Sequence, residues 1–282
     1  MLGNLGRLTH RHQLLGFFVL TYAISWVIWW AMAASALSIA TPIGWALNII
    51  ATAGPTIAAV ALAVALGGGA LGRLLSGFSI RRTSVGWALV ALVLPLAMIA
   101  LAIALSVGFM GGATPVVSVA VLGSILFEWI RVVLVGGPLE EEAGWRGFRL
   151  PRLQDRWSAF SSAVLLGLLW GLWHIPLYFV PGTGQFDSAA GGSAAFSIGA
   201  FVVWTMGLSV LFAWLLNQSR GSLIVVVLFH ASVNTGSFMP SAVSSTGAAS
   251  LLYVLITWVV ALLVVWRDGS ANLAAVPRQQ SG

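Results

Sequence analysis

Residues 114–149 read TPVVSVAVLGSILFEWIRVVLVGGPLEEEAGWRGFR. The opening part is apolar enough to enter a bilayer, yet the end carries three consecutive glutamates, Glu140, Glu141 and Glu142, followed by Arg146. The whole chain has only seven acidic residues in 282, and 59% of it is hydrophobic against 7% charged. An ionised carboxylate near a bilayer core costs several kcal/mol unless something pairs with it. A cluster kept at that cost marks a functional site.

Working outward, stretches long enough to span a bilayer recur at roughly 13–35, 43–66, 86–108, 114–136 (running on to about 149), 158–180, 195–217, 220–240 and 248–266. None alternates with the short period of a transmembrane β-strand. The sequence therefore predicts an all-α, polytopic transmembrane bundle of about eight spans. No charge run or linker interrupts the series, so a single membrane domain covers 13–266, with short tails at 1–12 and 267–282. No internal repeat is visible, which weighs against inverted-repeat transporters. The first span ends in Ala34-Ser35-Ala36, similar to a signal cleavage site, but its apolar core runs over twenty residues. That exceeds the roughly 7–15 of a signal peptide, so it reads as a retained anchor.

The chain has no cysteine, which excludes disulfides, thiolate metal sites and cysteine nucleophiles. Its net charge is +6, and every one of its thirteen Lys/Arg residues is arginine. Arg7 and Arg11 lie in the N-tail; Arg73, Arg81 and Arg82 in the second loop; Arg149, Arg152 and Arg156 in the fourth; Arg220 in the sixth; and Arg267 and Arg278 in the C-tail. The loops near 36–42, 109–113, 181–194 and 241–247 have none. This is the positive-inside pattern, which predicts both termini in the cytoplasm and gives the charge a topological role rather than a nucleic-acid partner. Trp45, Trp87, Trp157, Trp214 and Trp266 fall near predicted span ends and read as interfacial anchors beside membrane lipid. Lysine-free, Ala/Gly/Arg-rich usage suggests a bacterial plasma membrane.

The ionisable residues left at membrane depth are Glu128, Arg131, the glutamate run with Arg146, His174 and His230. Glu128 and Arg131 are three apart on one helix face and read as a structural pair. Gly136-Gly137-Pro138 predicts a break, with the glutamates in the first turn of the helix that follows. There the positive end of the helix dipole favours carboxylates. Glu142 and Arg146, four apart, suit a salt bridge, whereas Glu141 points about 100° away and is free for another task. A solvated helix cap is the alternative for this segment. His174 follows Trp170 by four, and His230 precedes Asn234 by four. Each has a bland reading as a hydrogen-bonded core residue. Convergence of Glu141, His174, His230 and Asn234 from three helices would supply a base, further donors and possible metal ligands in one cavity. No HExxH or GxSxG motif is present, so a zincin or a serine protease lacks support.

Glu141-Glu142-Ala143-Gly144-Trp145-Arg146 resembles the EExxxR signature of the CAAX prenyl protease type II and bacteriocin-processing (CPBP, or Abi) family of intramembrane proteases. Trp170 to His174 is similar to that family's FxxxH motif, with tryptophan for phenylalanine, and His230 to Asn234 to its HxxxN motif. The resemblance covers roughly 139–235 and implies a protease core at about 114–240. It implies hydrolysis of a peptide or membrane-protein substrate, and the closeness of the acidic run to the Arg-rich side predicts a cavity open to the cytoplasm. Glu141 would activate water with help from His174, Glu142 would hold Arg146, and His230 with Asn234 would stabilise the oxyanion. The tryptophan puts pocket shape rather than chemistry in question. In the family's metalloprotease description, Glu141, His174 and His230 would instead hold zinc. The expected cofactor is none, because zinc would consume the base that a hydrolase needs. A non-catalytic scaffold or immunity protein, and a proton-coupled transporter, are the alternatives. One expectation concerns depth: counted from the loops, His174 lies deeper than Glu141, which predicts a helical segment near 153–160 partly outside the bilayer.

Overall fold

The computed structural model describes residues 2–111, 118–243 and 247–274. Regular structure among these residues is helical throughout, in the order α1 (Leu2–Ala34), α2 (Pro42–Thr52), α3 (Gly54–Leu66), α4 (Ala70–Ser76), α5 (Val85–Met110), α6 (Val119–Val135), α7 (Pro138–Glu142), α8 (Leu150–Gln154), α9 (Ala159–Trp173), α10 (Gly184–Ala190), α11 (Ala194–Gln218), α12 (Leu223–Val243) and α13 (Gly247–Asp268). The result is an all-α multi-pass membrane bundle. Six helical segments are long and apolar enough to cross, or seven if α2 and α3, which meet at 44°, form one broken span. The apolar part of α12, Leu223–Gly236, is shorter. Together these segments occupy the places of the eight stretches read from the sequence.

Local chemistry sets the helix starts. Thr41, Ser118, Ser158, Thr183 and Ser193 each accept a backbone N–H from the first turn that follows, satisfying a donor that the helix cannot. The first two N–H groups of α9 go elsewhere. Ala159 donates to Ala271 O at 2.8 Å and Phe160 to Ser270 O at 3.0 Å. The stretch after α13 is thus tied to the bundle, with Leu273 buried and the Asn217 amide donating to Asn272 O. The expected C-tail beyond 274, with Arg278, lies outside the described residues, as do Met1 and residues 112–117 and 244–246.

α11 is the axis of the bundle: every residue from Gly207 to Leu216 is buried. It packs between α9 and α13, while α12 lies on α5, α1 on α3, and α6 touches chiefly α12 and α7. The α9–α11 contact depends on small residues one turn apart. A Cβ on Gly167 would lie 2.6 Å from Met206 Cα, and one on Gly171 only 2.4 Å from Thr205 Oγ1. This small-xxx-small stripe lets two backbones approach in lipid. It escaped the sequence reading, although the spacing is written in Gly167-Leu168-Leu169-Trp170-Gly171.

The connections collect at two ends. Leu223 N–H donates to Gly77 O, and Thr83 and Ser222 share a hydroxyl hydrogen bond, so the segments bearing Arg73, Arg81, Arg82 and Arg220 meet. At the other end Ile39 N–H donates to Pro181 O, joining two of the arginine-free loops.

Three expectations need correction. Arg149 and Arg152 are not loop residues: helical backbone continues through α8 to Gln154, and Arg149 is 2% exposed. The stretch 153–160 is not one helix, because α8 ends at Gln154, a turn follows, and α9 begins at Ala159. The depth conflict disappears for the same reason. Measured from these ends, Glu141 and His174 lie a similar number of residues in, differing by about 3 Å of helix rise. Third, Trp214 is not an interfacial anchor; it is buried and donates to Asp268 Oδ2 at 2.8 Å.

Gly167→Leu should therefore wedge α9 from α11. Thermal unfolding in detergent should show a loss of at least about 1–3 kcal/mol, the usual range for overpacking, whereas Gly199→Leu on open α11 surface should leave the transition unchanged.

Candidate active site

The site begins where α6 breaks. Gly137 has φ +111°, a conformation that side chains disfavour, and a Cβ there would lie 2.8 Å from Glu141 Oε1. Pro138 then opens α7 without forfeiting a useful donor. The three glutamates divide at this point. Glu140 is the cap, its Oε2 accepting the Gly137 N–H at 3.1 Å. Glu141 and Glu142 turn inward and are buried. A wider π-helical turn, Ala143–Arg149, carries Arg146 and joins α7 to α8.

Glu142 is the paired carboxylate. Its Oε1 accepts Arg146 Nη1 at 2.9 Å and meets His230 Nδ1 at 2.6 Å, and neither Glu142 nor Arg146 is exposed. The Arg146 guanidinium also lies 4.3 Å from the Trp170 ring centre and 3.9 Å from that of Phe212. Cation–π contact on desolvated rings adds to the ion pair. The Glu142–Arg146 contact was legible in the spacing. The His230 contact was not, because it joins residues 88 apart in sequence.

Glu141 is held differently. Trp170 Nε1 donates to its Oε2 at 2.8 Å, and among the described residues no cation lies within ion-pair distance of it. The missing Gly137 Cβ position is 2.8 Å from Glu141 Oε1 and 3.8 Å from Asn234 Nδ2, so both polar groups lie close against Gly137. Asn234 Nδ2 makes a long 3.4 Å contact to Gly136 O.

The histidine tautomers follow from their partners. His174 Nδ1 lies 2.8 Å from Trp170 O, and a carbonyl only accepts, so Nδ1 carries the proton. The neutral ring then keeps its lone pair on Nε2. Its walls are Trp173, Phe201 and Trp170, with ring centres 4.7, 5.0 and 5.6 Å away. His230 engages Glu142 through Nδ1, which leaves Nε2 for other contacts, and its ring stands edge-on to Trp170 at 5.5 Å. Trp170 is thus common to Glu141, Arg146 and both histidines, a role that sequence reading missed.

Glu128 and Arg131 stay apart from this cluster. They pair with each other through two hydrogen bonds of 2.8 and 2.5 Å, as their spacing predicts. Among the described residues no three His, Cys, Asp or Glu side chains converge as a metal-ligand set, and Glu141, His174 and His230 each contact the Trp170 indole.

Residues 123–236, which contain the whole cluster, match the family described as type II CAAX prenyl endopeptidase Rce1-like. A stretch of 95 residues is 35% identical to a protein of Methanococcus maripaludis named CAAX prenyl protease 2, covering 33% of this chain and 34% of that protein. The match thus spans about a third of the relative's length. The matched region is similar to type II CAAX prenyl endopeptidases, in keeping with the CPBP resemblance of its motifs. The three motifs that carry the resemblance lie on the helical segments assembled here: EExxxR in α7 and the π turn, the aromatic–histidine motif in α9, and HxxxN in α12. The aromatic position of the second motif is Trp170, the residue at the centre of this cluster.

Arg146→Ala should leave the Glu142 carboxylate buried with an imidazole as its one remaining partner. Breaking such a pair from one side costs about 3–5 kcal/mol, and chemical unfolding in detergent should register it. Gly137→Ala should lose turnover, because it strains the backbone at φ +111° and its Cβ would displace Glu141 Oε1, and kcat on a cleavable peptide reads this directly.

Proposed function

We propose that the protein is an intramembrane endopeptidase in which Glu141 activates the attacking water. One observation carries the reading: of two adjacent buried glutamates, only Glu142 is neutralised by cationic or imidazole partners. Glu141 turns Oε1 towards Gly137, with Asn234 Nδ2 on the same side. A carboxylate meant to take a proton must not be committed to a guanidinium.

In the proposed step, water oxygen attacks the scissile carbonyl carbon while Glu141 takes its proton. The carbonyl electron pair moves to oxygen, where Asn234 Nδ2–H donates to it. Collapse of the intermediate breaks the C–N bond, and the proton held by Glu141 passes to the leaving amine. His174, with its Nε2 lone pair, can accept a hydrogen bond from the water and orient it. Glu142 and Arg146 hold His230 beside the reacting centre. No step runs through a metal. The substrate is a peptide or membrane-protein segment. Under the positive-inside rule it enters from the arginine-rich, cytoplasmic side of a plasma membrane. The name of the archaeal relative makes a C-terminal CAAX-type peptide the first substrate to try.

The test is cleavage of quenched fluorescent peptides by protein reconstituted in liposomes. Glu141→Gln keeps shape but cannot accept the proton, so kcat should fall by about 10²–10⁴, the usual contribution of a general base. A strong chelator should leave wild-type activity intact. Activity lost to the chelator and restored by zinc would overturn the metal-free reading.

A further inference from the structure

We propose that Trp170 is a positioning residue for the base, and that its indole N–H selects which oxygen of Glu141 does the chemistry. This deepens the proposed mechanism and rests on it. Phenylalanine, the residue of the family motif at this position, would fill the site but could not donate a hydrogen bond. The indole Nε1–H can donate and cannot accept. At 2.8 Å from Oε2 it engages one acceptor site of that oxygen and lowers its basicity. Proton transfer is then favoured at Oε1, the oxygen beside Gly137 and Asn234. The donor is itself immobile, because Trp170 is 3% exposed and wedged among Arg146, Phe212, His174 and His230. The Gly167–Gly171 stripe presses its helix against α11, which supplies Phe212. A carboxylate fixed at one oxygen cannot swing about its terminal torsion, which is otherwise broad.

Two measurements test this on the full-length protein in detergent or liposomes. The first is kinetic. Trp170→Phe should lower kcat by about 10- to 100-fold, the scale on which small misplacements act, with KM within about twofold of wild type. Should the phenylalanine variant fail to fold, 3-benzothienylalanine at position 170 keeps the bicyclic shape and replaces the N–H by sulfur. Unchanged kcat, or a loss expressed only in KM, would overturn the inference. Cleavage lost in Glu141→Gln but intact without the N–H would sink this inference alone; cleavage that survives Glu141→Gln would sink the mechanism and this inference with it. The second measurement needs no activity. In protein labelled with ¹⁵N-tryptophan, the indole resonance deleted by Trp170→Phe should shift in Glu141→Ala. A resonance that stays in place would show that the hydrogen bond does not exist.

Discussion

Glu142 sits fully buried in a bundle made mostly of hydrocarbon, and its pairing with Arg146 and His230 is the constraint on which the site depends. A lone ion there would cost many kcal/mol, so the carboxylate and the guanidinium must be brought together wherever the chain folds. Arg146 lies between Trp170 of α9 and Phe212 of α11, and His230 comes from α12. One ion pair therefore registers four helical segments against each other. The neighbouring Glu141 is released from charge pairing by the same arrangement. Two identical side chains, adjacent in sequence, acquire opposite tasks because the helix turns them to different surroundings.

The backbone makes room for this. The break at Gly136–Gly137 lets a span end at membrane depth and a new one start there, with Glu140 closing the exposed N–H. Irregular backbone at such depth is tolerated where it lines a cavity inside the protein. On the facing side, glycines at 167 and 171 bring α9 and α11 into direct contact, so the aromatic residues of α9 reach the glutamates. The π turn widens the helix between Glu142 and Leu150, a device found often at functional sites. Around this core, α6 presents Leu122, Leu126, Phe127, Ile130 and Leu134 outward, which lipid would cover.

Much of this was legible in the chain. The apolar runs determined a helical membrane bundle, since only helices satisfy backbone groups within such stretches. The i, i+3 and i, i+4 spacings determined the Glu128–Arg131 and Glu142–Arg146 pairs, because helix geometry alone places those side chains on one face. The Gly-Gly-Pro break was equally local. Arg149 was misread as a loop marker because charge normally ends a span, and its helix instead runs on to Gln154 with the guanidinium over Phe18. Trp214 was misread because belt position and a buried bond to Asp268 carry the same sequence signature.

Only tertiary structure decided the contacts between helices: His230 on Glu142, Trp170 on Glu141, Asn234 beside Gly137. The physical reason is range. Periodicity fixes which residues share a face, and burial energy says which faces turn inward. Neither says which inward face meets which. That choice rests on close packing, on a few small residues that let backbones approach, and on the need of each buried polar atom for a partner.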